Sequence, residues 1–136
     1  MKISLQEFNK KLIELRNIKF DRSIYHFSEK EKGLNCAGFV SYFFKEFDNL
    51  ISYDKIINNN YFELVKIDKK DFAICLISLN KDTEDYNHSG IFLNNRIIHI
   101  TNKGILAQDI NVLERMFYKI DYYAIKNKLN GEILYV

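Results

Sequence analysis

Two short segments hold the residue types from which a thiol nucleophile is built. Asn35-Cys36-Ala37-Gly38-Phe39-Val40 puts a cysteine at the mouth of one apolar stretch. His88-Ser89-Gly90-Ile91-Phe92-Leu93 puts a histidine at the mouth of another, and His99 follows where that stretch can return. A thiol attacks a carbonyl carbon as the thiolate, so it needs a base to take its proton and a polar group to orient that base. Cys36, His88 and His99 supply the three parts in that order. A free cysteine is mostly protonated at neutral pH, and a helix N-terminus favours the anion through unpaired backbone N–H groups and the macrodipole.

The elements that must position these side chains follow from periodicity. Apolar residues at Leu5, Phe8, Leu12, Ile13, Leu15 and Ile18 approach helical spacing, with Ser4 as a cap and Glu7 three residues on. Residues 19–34 are polar and irregular and end at Gly33. A second helix is predicted from about Cys36 to Phe47, because Phe39, Val40, Phe43, Phe44 and Phe47 make one apolar face and Asn35 is a competent N-cap. Cys36 then opens the helix, Ala37 and Gly38 keep the wall beside it low, and the backbone N–H groups there are donors for an oxyanion. Residues 48–60 read as a short helix leading into a loop.

Beyond them the period changes. Phe72 to Leu79 is a continuous apolar run of strand length, and residues 80–87 are a polar loop. Gly90 to Leu93 and Ile97 to Ile100 flank Asn94-Asn95-Arg96, a hairpin signal. Residues 110–118 are predicted as a short helix and 120–125 as a final strand. The sum is an α+β domain: helices first, then a small antiparallel sheet. If Asn94 and Asn95 form a two-residue turn, His99 faces Gly90, and His88 lies two positions away on the same sheet face. The two histidines are then diagonal neighbours, roughly 6–8 Å apart at the backbone, and Gly90 leaves the space between them open. A three-residue loop would send His99 to the other face. In the tight-turn case His88 takes the proton of Cys36, and His99 accepts a hydrogen bond from the other ring nitrogen.

Each residue also has a plainer reading. A helix-starting cysteine is commonly a small buried hydrophobe, and a single histidine on a strand commonly packs. His26 follows Tyr25 in an irregular stretch and is read as non-catalytic. Cys75, inside the buried run, is read as structural. No Cys-x-x-Cys or His-x-x-x-His pair occurs, so a metal site ranks well behind the thiol site and no cofactor is expected.

Composition narrows the class. The 136 residues are 47% hydrophobic, with 11 Phe and 9 Tyr, which fits one packed domain, residues 1–136. There is no proline and there are five glycines, so no flexible linker is expected. Net charge is +2 without a basic stripe, which argues against a nucleic-acid partner. No segment approaches the about 18 apolar residues of a membrane span, and the N-terminal residues lack the apolar core of a secretory signal. The expectation is synthesis in the cytoplasm, or export by a route that reads no cleavable signal. The two cysteines are read as free thiols.

At the two motif segments the chain resembles the NlpC-type peptidases, papain-like cysteine hydrolases of bacterial cell walls. Their nucleophile segment is commonly Asp-Cys-Ser-Gly-Phe-Val and their histidine segment commonly His-Val-Gly-Ile-Tyr-Leu-Gly-Asn; a further histidine in an Ile-His-Ala context is matched by Ile98-His99-Ile100. Asn35 and Ala37 stand where the family usually has Asp and Ser. The resemblance implies a papain-like core, with N-terminal helices including the nucleophile helix packed on a small antiparallel sheet. It also implies a Cys36–His88–His99 mechanism through a thioester. Tyr25 becomes a substrate-lining candidate by resemblance alone, beside Asn35 and Ala37. The expected activity is an amidase or endopeptidase cutting peptidoglycan stem peptides. Its setting would be an antibacterial toxin or effector delivered to a rival's periplasm, partnered by a cognate immunity protein, or a phage-associated lytic protein. The alternatives are a papain-like hydrolase, deamidase or acyltransferase acting on a cytosolic protein or small amide, and a non-catalytic binding domain that keeps the fold.

Overall fold

Ser4 accepts a hydrogen bond from the Glu7 amide and caps the first helix, α1 (Leu5–Glu14), which buries Phe8. The computed structural model describes residues 3–52, 55–79, 85–117 and 119–136 of the chain. A single 3₁₀ stretch (Phe27–Lys32) precedes α2 (Cys36–Phe43), and another (Lys45–Leu50) follows it. Strands β1 (Ile51–Ser52) and β2 (Lys55–Ile56) pair with each other as a small antiparallel sheet. Then come β3 (Phe62–Ile67), β4 (Ile74–Ser78), β5 (His88–Leu93), β6 (Arg96–Thr101), β7 (Gly104–Asp109), helix α3 (Ile110–Met116), β8 (Lys119–Asn127) and β9 (Glu132–Ile133).

These last seven strands make one antiparallel sheet in the order β3-β8-β4-β5-β6-β7, with β9 pairing β8. The architecture is therefore mostly β. It corrects the expected papain-like arrangement of N-terminal helices on a small sheet: the sheet has seven strands, a second sheet has two, and the α-helices are only ten, eight and seven residues long. The predicted second helix stops at Phe43, four residues short of Phe47, and continues as the 3₁₀ stretch. The helix expected early in residues 48–60 is instead the end of that stretch followed by β1 and β2. Residues 53–54, 80–84 and Tyr118, which carry parts of the predicted 48–60 loop, 80–87 loop and last helix, lie outside the described residues.

Strand alternation sorts the sheet's side chains between two cores. On one face Ile74, Leu76, Ile91, Ile98 and Ile100 pack with α1 and α2, whose Phe8 and Phe43 rings lie 4.6 Å apart. On the other face Cys75, Ile77, Phe92 and Ile97 pack with Ile110 and Leu113 of α3. The β5–β6 hairpin turns on Asn94 and Asn95, both at positive φ (55° and 61°), the geometry of a type I′ turn. Leu93 pairs with Arg96, Phe92 with Ile97 and Ile91 with Ile98, so continuing the register brings His99 opposite Gly90. Among the described residues no helix is long and apolar enough to cross a membrane.

Gly90 is the tightest point of this arrangement. A Cβ there would stand 2.7 Å from Ile97 Cγ2, 2.9 Å from the Ile98 carbonyl oxygen and 3.1 Å from His99 Cβ. The backbone oxygen cannot rotate away, so Gly90→Ala should lower the unfolding free energy by about 1–3 kcal/mol. Urea-unfolding midpoints of the two proteins check this; equal midpoints would mean that the β5–β6 pairing relaxes without loss.

Candidate active site

Asn35 builds the start of α2. Its backbone is extended (φ −88°, ψ −174°), its Oδ1 accepts from the Gly38 amide at 2.8 Å, and its Nδ2 donates to the Arg22 carbonyl at 3.0 Å. The side chain thus ties the helix end to the preceding loop, and its own amide donates to Ile24 O at 2.7 Å. Gly38 allows that approach, because a Cβ there would lie 2.8 Å from Ile24 O and 2.9 Å from Leu34 Cδ2. Cys36 is consequently the first residue of the helix, partly buried against the α1–α2 core, and forms no disulfide among the described residues. The first-turn amides beside it carry the positive end of the helix dipole.

His88 opens β5. The His88 and His99 rings lie 4.9 Å apart, joined by a 2.6 Å hydrogen bond between His88 Nε2 and His99 Nδ1. His99 Nε2 is in turn 2.5 Å from Gln108 Oε1. With that oxygen accepting, His99 carries its proton on Nε2, its Nδ1 accepts from His88 Nε2–H, and His88 Nδ1 is left bare. Gln108 enters from β7, where His99 pairs with Leu106 and Ile97 with Gln108, which puts Gln108 diagonal to His99 on the same face. Burial and the neighbouring His99 hold His88 down to about 4. Burial also lowers His99, against the hydrogen bond it donates to Gln108, which raises it.

A cavity of about 440 Å³ opens at the end of the sheet where β5 begins and β6 finishes. Cys36, Asn35 and Ala37 border it from α2, and His88 and Ser89 from β5. The register gives these groups different sides. Ser89 pairs with Leu76, on the face toward α2, whereas His88 pairs with Ile77, on the face toward α3. The His88 ring accordingly lies 6.4 Å from that of Phe117, which packs on the α3 core. Cys36 and His88 share a border only at the sheet's end, where residues of both faces reach the cavity. The structure thus joins His88 to His99 directly and sets Cys36 beside the same cavity as His88.

The other candidates fall elsewhere. Tyr25 lies against His26, their tilted rings 4.2 Å apart between centroids, outside the described residues that border the cavity. His26 Nδ1 is 2.6 Å from Asp48 Oδ1. Cys75 is fully buried, and burial pushes its thiol far up, so it is protonated. Among the described residues no three His, Cys, Asp or Glu side chains gather as metal ligands. Gln108 and Ser89 were not singled out by the sequence reading. A second two-residue turn at Asn102-Lys103 would have placed Gln108 on the face of His99 by the same rule that placed His88. No protein-family model matches the chain, and no curated protein matches it.

The histidine pair makes folding sensitive to acid. In the unfolded chain both histidines protonate near the ordinary value of about 6.5, whereas folded His88 stays neutral down to about 4. The unfolded state therefore binds more protons between those values, and stability falls as pH drops from about 6.5 toward 4. Urea midpoints across that window should fall more steeply for the wild type than for His88→Gln. By NMR titration, His99→Gln should raise the pKa of His88, since one of its two lowering influences is removed, yet leave it below the ordinary value because burial remains.

Proposed function

We propose that the chain is a cysteine hydrolase of amide bonds, with Cys36 as nucleophile and His88 as proton acceptor. The observation that carries this reading is the cavity that Cys36, at a capped helix N-terminus, and His88 both border. In the proposed reaction the Cys36 sulfur attacks the amide carbonyl, and His88 takes the thiol proton. The C–N bond then breaks, with that proton passing to the leaving nitrogen. Water hydrolyses the resulting thioester and restores the thiol. His88 is neutral at pH 7 and so free of the proton it must accept; its lowered value makes it a weak base toward the thiol and, once protonated, a strong acid toward the leaving group. His99 and Gln108 support it by keeping the proton on Nε2 and the bare nitrogen at Nδ1.

The resemblance of residues 35–40 and 88–95 to the NlpC-type motifs makes peptidoglycan stem peptides the first substrate to test. The setting it suggests is a secreted antibacterial effector or phage-associated lytic protein, the effector having an immunity protein as its partner. A second reading, a non-catalytic binding domain, is favoured by one observation: alternation turns the His88 ring to the face away from the one on which Cys36 packs. Purified peptidoglycan incubated with wild type and Cys36→Ala separates the two. Fragments released by the wild type alone support the hydrolase, and His88→Gln should then lower kcat by about 100-fold or more. Equal fragment release by Cys36→Ala would remove the thiol mechanism. Release by neither protein, together with a Cys36 no more reactive than free cysteine toward iodoacetamide, would favour the binding domain.

A further inference from the structure

The cavity has a polar group that the mechanism leaves unused. Ser89 is 4% exposed, faces α2 and borders the cavity, and its hydroxyl has no hydrogen-bond partner among the described residues. A buried hydroxyl without a partner is costly, whereas alanine or valine would fill a strand position among Leu76, Ile91 and Ile100 without that cost. Much of the wall is apolar, formed by Phe20, Phe47, Ile51, Ile56, Leu76 and Ile100, with Asn35, Tyr86, Asn87, His88 and Thr101 also on the border. No carboxylate is among the described residues that border the space, and Arg22, which also borders it, is exposed, so its charge sits at the rim where water screens it. A space of this size is within the range of small-ligand pockets. Its chemistry is that of a mainly apolar pocket in which the Ser89 hydroxyl is the buried group left without a partner among the described residues.

We propose that Ser89 is a substrate-recognition residue, and that the pocket beside Cys36 takes a neutral, apolar acyl group whose backbone amide or carbonyl hydrogen-bonds the Ser89 hydroxyl. This rests on the reading of Cys36 as nucleophile. The acyl part is the part seated there because it stays joined to the Cys36 sulfur after the amine leaves. It must therefore be held by the walls that adjoin Cys36 while water arrives. The serine hydroxyl both donates and accepts, so it serves either a peptide N–H or a peptide C=O. An acidic acyl residue would lose its hydration among the apolar walls and find no cation at depth among the described residues, Arg22 being exposed.

Alkylation rates at Cys36 test the inference on the full chain. Iodoacetamide reports the thiol itself. Two blocked dipeptidyl chloromethyl ketones, one ending in leucine and one in aspartate, report what the pocket accepts. The wild type should react with the leucine reagent at least about tenfold faster than with the aspartate reagent. Ser89→Ala should slow the leucine reagent by about tenfold, leave the iodoacetamide rate unchanged, and raise the melting temperature because the unpartnered hydroxyl is gone. A preference for aspartate, or a leucine rate untouched by Ser89→Ala in a protein that still reacts rapidly with iodoacetamide, would overturn the proposal. A Cys36 that reacts with iodoacetamide no faster than free cysteine would instead overturn the hydrolase reading beneath it.

Discussion

The two-residue turn at Asn94 and Asn95 governs the rest of the molecule, because it sets which residues of β5 and β6 look at which core. Both asparagines adopt the left-handed conformation that such a turn demands, and asparagine tolerates it better than other residues with a Cβ. One residue more in the loop would exchange the faces of β6. Ile98 and Ile100 would leave the α1–α2 core, and His99 would lose both His88 and Gln108. The close approach at Gly90 is part of the same constraint, since the space beside it is filled by Ile97, the Ile98 backbone and His99.

With that register in place, the sheet acts as a wall between two apolar cores, and polar chemistry collects where the wall ends. His88, His99 and Gln108 form a hydrogen-bonded row on the α3 side, and Asn35 and Cys36 form the capped helix start on the α2 side. Burying two imidazoles among apolar side chains keeps both neutral, and each ring nitrogen engaged in the row has its donor or acceptor role fixed by its neighbour. At the cavity at the sheet's end the thiol and His88, the first member of that row, border common space. Ser89, next in sequence to His88, points to the opposite face, so a single dipeptide serves both sides of the wall.

The architecture departs from the expected helices on a small sheet for identifiable reasons. The strand Phe62–Ile67 is an edge strand with both faces half-buried, so its pattern Phe-Glu-Leu-Val-Lys-Ile shows no clean alternation. The strand Gly104–Asp109 is the opposite edge, carries Gln108 inward and lacks an apolar run. Both are held by pairing with β8 and β6, an interaction between distant segments that local periodicity does not register. The predicted second helix ran on to Phe47 because Phe43, Phe44 and Phe47 keep helical spacing; the chain tightens into a 3₁₀ stretch at Lys45 and buries the same phenylalanines with different backbone geometry.

By itself the sequence determined what local chemistry determines. Ser4 and Asn35 start helices because their side chains satisfy amides a few residues away. Phe72 to Leu79 contains a buried strand because its continuous apolar stretch from Ala73 to Ile77 meets a core on either face. Asn94-Asn95 makes a tight turn because two adjacent asparagines accept positive φ, and from that turn the pairing of His88 with His99 followed. Only the tertiary structure decided which face of the sheet each side chain meets. That depends on where α2 and α3 pack, and helix placement is settled by burial over the whole chain rather than by spacing within a segment. For that reason Cys36 and the histidine pair, adjacent in a motif-based reading, lie on two sides of one sheet and come to a common border at its end.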